Sequence, residues 1–161
     1  MRFKDQLNKF YKDLDDQSNR IKDILTENGF TVKSGYFNGH FNKDASGSYV
    51  KDYYPIPVIE VKGLCDIEIV GDSVNVTTKT SKENAIKLDY EKLSRYKFET
   101  YGVIDYLTDY YKSGEDIANL YKSLEACNER EIGFGFSFAN STATNVILNL
   151  LILLKNNGFY Y

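Results

Sequence analysis

The chain has 161 residues and a net charge of −3, with 42% hydrophobic and 27% charged residues. This balance is typical of one folded domain, residues 1–161, and it excludes disordered, collagen-like and coiled-coil proteins. The acidic charge argues against a nucleic-acid binder, and a single histidine, His40, excludes sites that need two imidazoles.

The first predicted element is an amphipathic helix near the N-terminus. Its apolar residues recur at steps of three, four and seven, and Asn28-Gly29 supplies the left-handed residue that commonly ends a helix. Those apolar residues are Phe3, Leu7, Phe10, Leu14, Ile21 and Leu25.

The next segment predicts a strand, a hairpin and a sheet edge. The strand covers about 31–37, and Asn38-Gly39 is a strong signal for a two-residue hairpin turn. A polar loop follows. Pro55 and Pro57 cannot join a central ladder, so we place them at a sheet edge, a strand start or a bulge.

A hairpin with a three-residue loop at 63–65 begins an antiparallel meander. The predicted pairing sets Glu60 opposite Glu68. In the same register Lys62 faces Asp66. All apolar residues fall on one face, and a shift by one residue would move them to the other. The apolar pairs of this hairpin are Ile59–Ile69 and Val61–Ile67.

Two further turns extend the meander to four strands. Gly71-Asp72 has glycine in the first position of a two-residue hairpin, and residues 81–83 form a turn before a strand at 86–90. The meander then has one buried and one exposed face. The buried face contains Ile59, Val61, Ile67, Ile69, Val74, Val76, Ile86 and Leu88.

A helix over 81–95 is the alternative to the fourth strand. Thr80 and Glu83 match a capping box, and apolar residues follow at helical spacing. We favour the strand, because the apolar residues also alternate in register with the preceding strand.

The C-terminal half predicts two helices and a strand. The helices cover about 91–111 and 115–128. The strand at 132–138 has phenylalanine on one face, while Gly133 and Gly135 on the other predict close approach of another backbone or an aromatic side chain.

The last helix contains the apolar run VILNLLILL at 146–154. Asn140 or Ser141 caps this helix, and Gly158 ends it. The run is far shorter than the roughly 20 apolar residues of a membrane-spanning helix. We therefore predict a helix buried in the core or in a dimer interface.

These elements predict an α+β fold: an antiparallel β-meander sheet with helices packed on one face, an N-terminal helix and a buried C-terminal helix.

The N-terminal residues are charged where a signal peptide needs an apolar run. Residues with AT-rich codons are frequent, and Cys65 and Cys127 form no CxxC motif. We expect a cytoplasmic bacterial protein with reduced thiols.

The exposed face of the meander is the first candidate site. It brings Glu60, Asp66 and Glu68 together, and carboxylate oxygens suit Mg²⁺. The triplet Glu60-Val61-Lys62 resembles the ExK half of the PD-(D/E)xK nuclease signature, which implies a metal-holding Glu60 and a water-activating Lys62. We favour a solvated face with neutralising pairs such as Lys62–Asp66, without metal or cofactor. Asn75, Thr77, Lys79, Lys87 and Asp89 complete this face.

Aromatic residues are the second candidate feature, with 14 Tyr and 10 Phe but no Trp. Tyrosine supplies a large contact area with a polar tip, which suits binding surfaces. We interpret the tyrosine-rich segments 49–54 and 101–111, together with the exposed sheet face, as a binding surface. The predicted binding residues are Tyr49, Tyr53, Tyr54, Tyr101, Tyr106, Tyr110, Glu60 and Glu68.

The functional prediction is a protein-binding accessory protein, similar in size and composition to immunity proteins and chaperones, without a catalytic site or a membrane partner. The acidic balance favours a basic partner. One alternative is a Mg²⁺-dependent hydrolase or nuclease that uses Glu60, Lys62, Asp66 and Glu68. Another is a module that holds a small apolar ligand between sheet and helices. A homodimer through 132–138 or 146–154 is a further use of the aromatic surface.

Overall fold

The computed structural model describes residues 3–43, 49–102, 109–110 and 114–161. Within these ranges the chain forms five helices and seven strands. The helices are α1 (Phe3–Glu27), α2 (Lys82–Lys87), α3 (Tyr90–Leu93), α4 (Gly114–Ala126) and α5 (Thr144–Asn156). The strands are β1 (Val32–Lys43), β2 (Tyr49–Val61), β3 (Cys65–Val70), β4 (Ser73–Ser81), β5 (Phe98–Gly102), β6 (Asp109–Tyr110) and β7 (Glu131–Ala139).

The strands form an antiparallel sheet in the order β1-β2-β3-β4-β7-β5-β6. The first four strands follow the chain as a meander. β7 then enters from the C-terminal half and separates β4 from β5. The predicted α+β fold, with its meander sheet and its N-terminal and C-terminal helices, is confirmed.

The helices share their core with one face of the sheet. Leu14 and Leu25 of α1 are buried in the same cluster as Ile147 and Leu150 of α5. The predicted buried face is therefore confirmed on β2, β3 and β4. The strand residues in this core are Ile59, Val61, Cys65, Ile67, Ile69, Val74, Val76, Phe98, Ile132, Phe134 and Phe136.

The pairing of β3 with β4 is the predicted one. Ile67 lies opposite Val76 and Ile69 opposite Val74, and Gly71 adopts a φ of +58° in the first position of the turn. A left-handed φ at this position is what glycine allows at low cost.

The predicted pairing of β2 with β3 is wrong by two residues. Glu60 lies opposite Asp66 instead of Glu68. The turn covers 62–64, with Gly63 at a φ of +72°, so Cys65 begins β3 as a fully buried residue. Because the shift is even, every side chain keeps its face.

The hairpin predicted at Asn38-Gly39 is wrong, because β1 continues through this dipeptide to Lys43. The register of β1 and β2 shifts between Asn38 and His40, so the dipeptide lies at a β-bulge. Pro55 and Pro57 pair with β1, beyond the part of β2 that pairs with β3. Their position fits the predicted sheet edge.

The strand predicted at 86–90 is wrong, and the alternative helix is right in type. Ser81, rather than Thr80, is the N-cap of α2, and its Oγ accepts a hydrogen bond from the Asn84 N–H at 3.1 Å. β7 takes the place beside β4, where Phe134 and Phe136 are buried and the burial of their rings stabilises this pairing.

The helix predicted at 91–111 is also wrong, because β5 and β6 lie in this range. The Phe98 ring packs 5.9 Å from that of Phe136, and Thr100 is buried opposite Phe134. Pairing with an aromatic neighbour strand outweighs the helical spacing of this segment.

The predicted strand β7 and helix α4 are confirmed within a few residues, but the predicted cap of α5 is wrong. Asn140 instead binds the β3–β4 turn: its N–H donates to the Asp72 carbonyl at 2.7 Å and its Nδ2 to the Gly71 carbonyl at 3.3 Å. Helix α5 therefore starts at Thr144, after Ala143.

None of the described helices combines the length and apolarity needed to cross a bilayer.

Candidate functional site

We call the sheet face opposite the core the open face. Its side chains alternate with core residues along the strands, so they lie on the side away from the buried cluster. Glu60, Glu68 and Ser137 are exposed, and Asp66, Asn75, Thr77, Lys79, Glu99 and Gly135 are half-buried. Lys87 and Asp89, predicted on this face, lie instead in α2 and in the link to α3.

Carboxylates dominate one end of the open face. Asp66 lies directly across from Glu60 and two residues before Glu68 in the same strand. Burial, followed by the charges of Glu60 and Glu68, raises the pKa of Asp66, and a hydrogen bond from Tyr161 opposes this rise. Glu60, Asp66 and Glu68 therefore form a concentrated negative region, and the hydrogen bond from Tyr161 offsets only part of their mutual repulsion.

The chain's last two residues join this face through Lys79. Tyr160 exchanges two main-chain hydrogen bonds with Lys79, of 2.8 and 3.1 Å, in the part of β4 that extends beyond its pairing with β3. The Lys79 Nζ lies 5.5 Å from the Tyr160 ring centroid and 5.9 Å from that of Tyr161.

Lys79 also forms an ion pair, with 3.1 Å between its Nζ and Oε2 of Glu131. Hydrogen bonds from Lys79 and Tyr160 lower the pKa of Glu131. Lys79 is thus engaged at Glu131. The predicted pairing of Lys62 with Asp66 is wrong, because Lys62 lies in the turn before β3 and Asp66 lies opposite Glu60.

A groove of about 850 Å³ lies on the open face over β4, β7 and β5. It is next to Asp66 and Glu68, because their partners in β4, Thr77 and Asn75, line it. Thr77, Gly135 and Glu99 form one row across its three strands. Gly135 leaves the floor of the groove without a side chain. Ser137 donates a hydrogen bond to Oδ1 of Asn75 at 2.9 Å, and Lys97 and Asp72 also line the groove.

The structure places the predicted site residues in different ways. Glu60 and Glu68 are both exposed on the open face, although they are not opposite each other. Tyr106 and the side chains of the other predicted tyrosines lie outside the described residues. The backbones of those other tyrosines belong to three strands: Tyr49, Tyr53 and Tyr54 to β2, Tyr101 to β5 and Tyr110 to β6.

Tyr160 and Tyr161 are the site residues that sequence reasoning missed. Their signal is the Phe-Tyr-Tyr sequence directly after Gly158, in which Phe159 is buried and the two tyrosines are not. An alternation of this kind after a helix stop can indicate a short added strand. It does not reveal that the partner is Lys79.

The described residues also bear on metal binding and thiol chemistry. No group of three His, Cys, Asp or Glu within them has the arrangement to hold a metal ion. Cys65 and Cys127 are free and buried, and burial raises the pKa of the Cys65 thiol, which keeps it protonated. The side chain of His40 lies outside the described residues.

No protein-family model and no curated protein matches the chain. Among solved structures, a conserved hypothetical protein from Pyrococcus furiosus is similar, with a TM-score of 0.64 and 17% sequence identity. The match covers 95% of this chain and 97% of that one. At this identity the similarity establishes the fold.

Proposed function

We propose that the protein acts by binding a basic protein partner through the open face, as an accessory protein of the immunity- or chaperone-like kind. The observation that carries the proposal is the charge of a sheet face that lies opposite the helical core. Its acidic residues outnumber its lysines, and Lys79 is already paired with Glu131. The acidic residues on and beside it are Glu60, Asp66, Glu68, Asp72, Glu99 and Glu131.

An acidic, concave surface suits a partner that carries arginine or lysine. Charge complementarity steers encounter and raises the association rate more than it raises affinity. The groove beside the carboxylates supplies a recess for a long basic side chain, and its floor at Gly135 is backbone. Strands β2 and β5, which contribute Glu60 and Glu99 to this region, also contain four of the predicted tyrosines, and tyrosine suits a contact surface.

The cellular setting that we propose is the bacterial cytoplasm. Cys65 and Cys127 are both free and buried, which suits a reducing compartment. The frequency of residues with AT-rich codons supports a bacterial origin.

A charge-reversal experiment tests the proposal. The tagged protein serves as bait in a lysate of its native host, and the bound proteins are identified by mass spectrometry. We expect a positively charged protein to be retained by the wild type and lost with Glu60→Lys/Glu68→Lys.

The control is Glu83→Lys/Glu91→Lys, which reverses two exposed glutamates on α2 and α3 and changes the net charge equally. This variant should retain the partner. The proposal fails if both double variants lose the partner equally, or if neither loses it. A fall in binding with added salt is a further expectation, because exposed charge contacts are screened.

A further inference from the structure

The outer edge of β1 is long, and its bulge at Asn38–His40 lies beyond the regular stretch from Val32 to Phe37. β1 pairs with β2 on one side, and within the described residues no strand pairs with its other side. Tyr36 and Phe37, in the middle of this strand, are 62% and 55% exposed. An unpaired edge presents main-chain donors and acceptors that another strand can bind.

Two other edge stretches of the described sheet either contain proline or are short. Where β2 extends beyond β3, Pro55 and Pro57 remove the N–H groups that a further strand would need. At the opposite end of the sheet, β6 spans two residues, Asp109–Tyr110. β1 has twelve residues, from Val32 to Lys43, and no proline.

The prolines also fix which main-chain groups of β1 face outward. Pro57 lies opposite Tyr36. Since proline has no N–H, this must be a non-hydrogen-bonded pair of the antiparallel ladder. The alternation of such pairs directs the main-chain groups of Ser34 and Tyr36 away from β2, toward the free edge.

Gly35 lies between these two residues, and nothing in the described part of the chain requires a glycine there. Its φ is not in the left-handed region, and a Cβ added there would meet nothing within 4 Å. A glycine weakens a strand, and close approach of another backbone is a common reason to find one.

We propose that β1 pairs antiparallel with β1 of a second copy, about a two-fold axis at Gly35, so that the sheet continues through a homodimer. In this register Ser34 of each copy lies opposite Tyr36 of the other. Lys33 lies opposite Phe37 on the open-face side, which places a cation beside an aromatic ring and sets no like charges directly opposite.

The charges on α1 favour a second copy of this chain, rather than an unrelated strand, as the partner of β1. The Lys22 Nζ donates to Ser34 Oγ at 3.5 Å, and the Tyr36 hydroxyl donates to Asp15 Oδ1 at 3.0 Å. Because Ser34 and Tyr36 face each other across the two-fold axis, Lys22 of each copy comes beside Asp15 of the other. The two-fold axis produces this contact between Lys22 and Asp15 twice in the dimer.

Mixing two charge variants tests the register. Asp15→Lys alone and Lys22→Asp alone should each weaken the dimer roughly tenfold, because two attractive contacts become repulsive. An equimolar mixture should recover the dimer, since both contacts are again between opposite charges. Native mass spectrometry resolves the mixed dimer, and sedimentation velocity gives the dissociation constants.

A second variant tests the edge itself. Ser34→Pro removes an outward N–H but no hydrogen bond to β2, so it should give a monomer, whereas Ser34→Ala should remain a dimer. A monomeric wild type at tens of micromolar, or charge variants that dimerise as the wild type does, would overturn the proposal. Ser34→Pro leaves Glu60 and Glu68 in place, so loss of the dimer and loss of partner capture are distinguishable.

Discussion

Ile67 and Glu68 are neighbours in β3 whose side chains lie on opposite faces of the sheet. Ile67 is fully buried, and Glu68 is exposed. Ile67→Ala should lower the free energy of unfolding by about 2–5 kcal/mol, because it leaves a cavity in the core. Glu68→Ala should change it by less than about 0.5 kcal/mol. Urea denaturation measures both, and similar costs would contradict the assignment of the two faces.

Asp66 makes stability depend on pH. Its pKa is raised in the folded protein by burial and by the charges of Glu60 and Glu68. A group with a raised folded-state pKa favours folding at low pH, and this contribution is lost as the pH rises through that pKa. Asp66→Asn should therefore stabilise the protein at pH 7 and have little effect at about pH 3, where the carboxyl is protonated in both states.

Urea denaturation at the two pH values checks this expectation, and an equal effect at both would contradict it. Tyr161→Phe is the companion variant, since it removes the hydrogen bond that lowers the pKa of Asp66. In this variant an NMR titration of the carboxyl carbon should show a further rise in that pKa.

At the scale of elements, the cap of α2 decides where β4 ends. The Ser81 Oγ accepts a hydrogen bond from the Asn84 N–H, one of the helix's otherwise unpaired donors. Ser81→Ala should cost about 0.5–2 kcal/mol of stability. Ser141→Ala is the control, because Ser141 is exposed and does not cap α5. Thermal unfolding compares the two, and an equal loss would mean that the Ser81 cap contributes nothing specific.

The three-residue turn between β2 and β3 sets the composition of the acidic end of the open face. Had the turn begun at Gly63, Glu60 would lie opposite Glu68, as the sequence pattern predicts. The observed turn sets Glu60 opposite Asp66, which is half-buried and bonded to Tyr161. One turn position therefore determines which carboxylate of β3 lies opposite Glu60.

At the scale of the whole molecule, the open face gathers carboxylates from several strands. Within the described residues they do not form a metal-holding group. We expect calorimetry with Mg²⁺, Mn²⁺ and Ca²⁺ to detect no micromolar binding. Binding that Glu60→Gln abolishes, and that Glu83→Gln on α2 leaves intact, would instead favour the hydrolase alternative.

The sequence by itself determined the elements whose patterns are local. The spacing of apolar residues in α1, the Gly71-Asp72 turn and the phenylalanine face of β7 all specify their own structure. The two faces of the meander were predictable for the same reason, because a period of two assigns each side chain to a face. This made Glu60 and Glu68 predictable as exposed residues of one surface.

Only the tertiary structure decided the features that depend on distant residues. The segment at 82–102 has both helical and strand periodicity, and β7 resolves it by occupying the edge of β4 and pairing with β5. The register of β2 and β3 was undetermined because a shift of two preserves both faces. Tyr160 joins the open face through its main-chain hydrogen bonds with Lys79. No local pattern encodes this contact, because it depends on how α5 packs and therefore on where the residues after it lie.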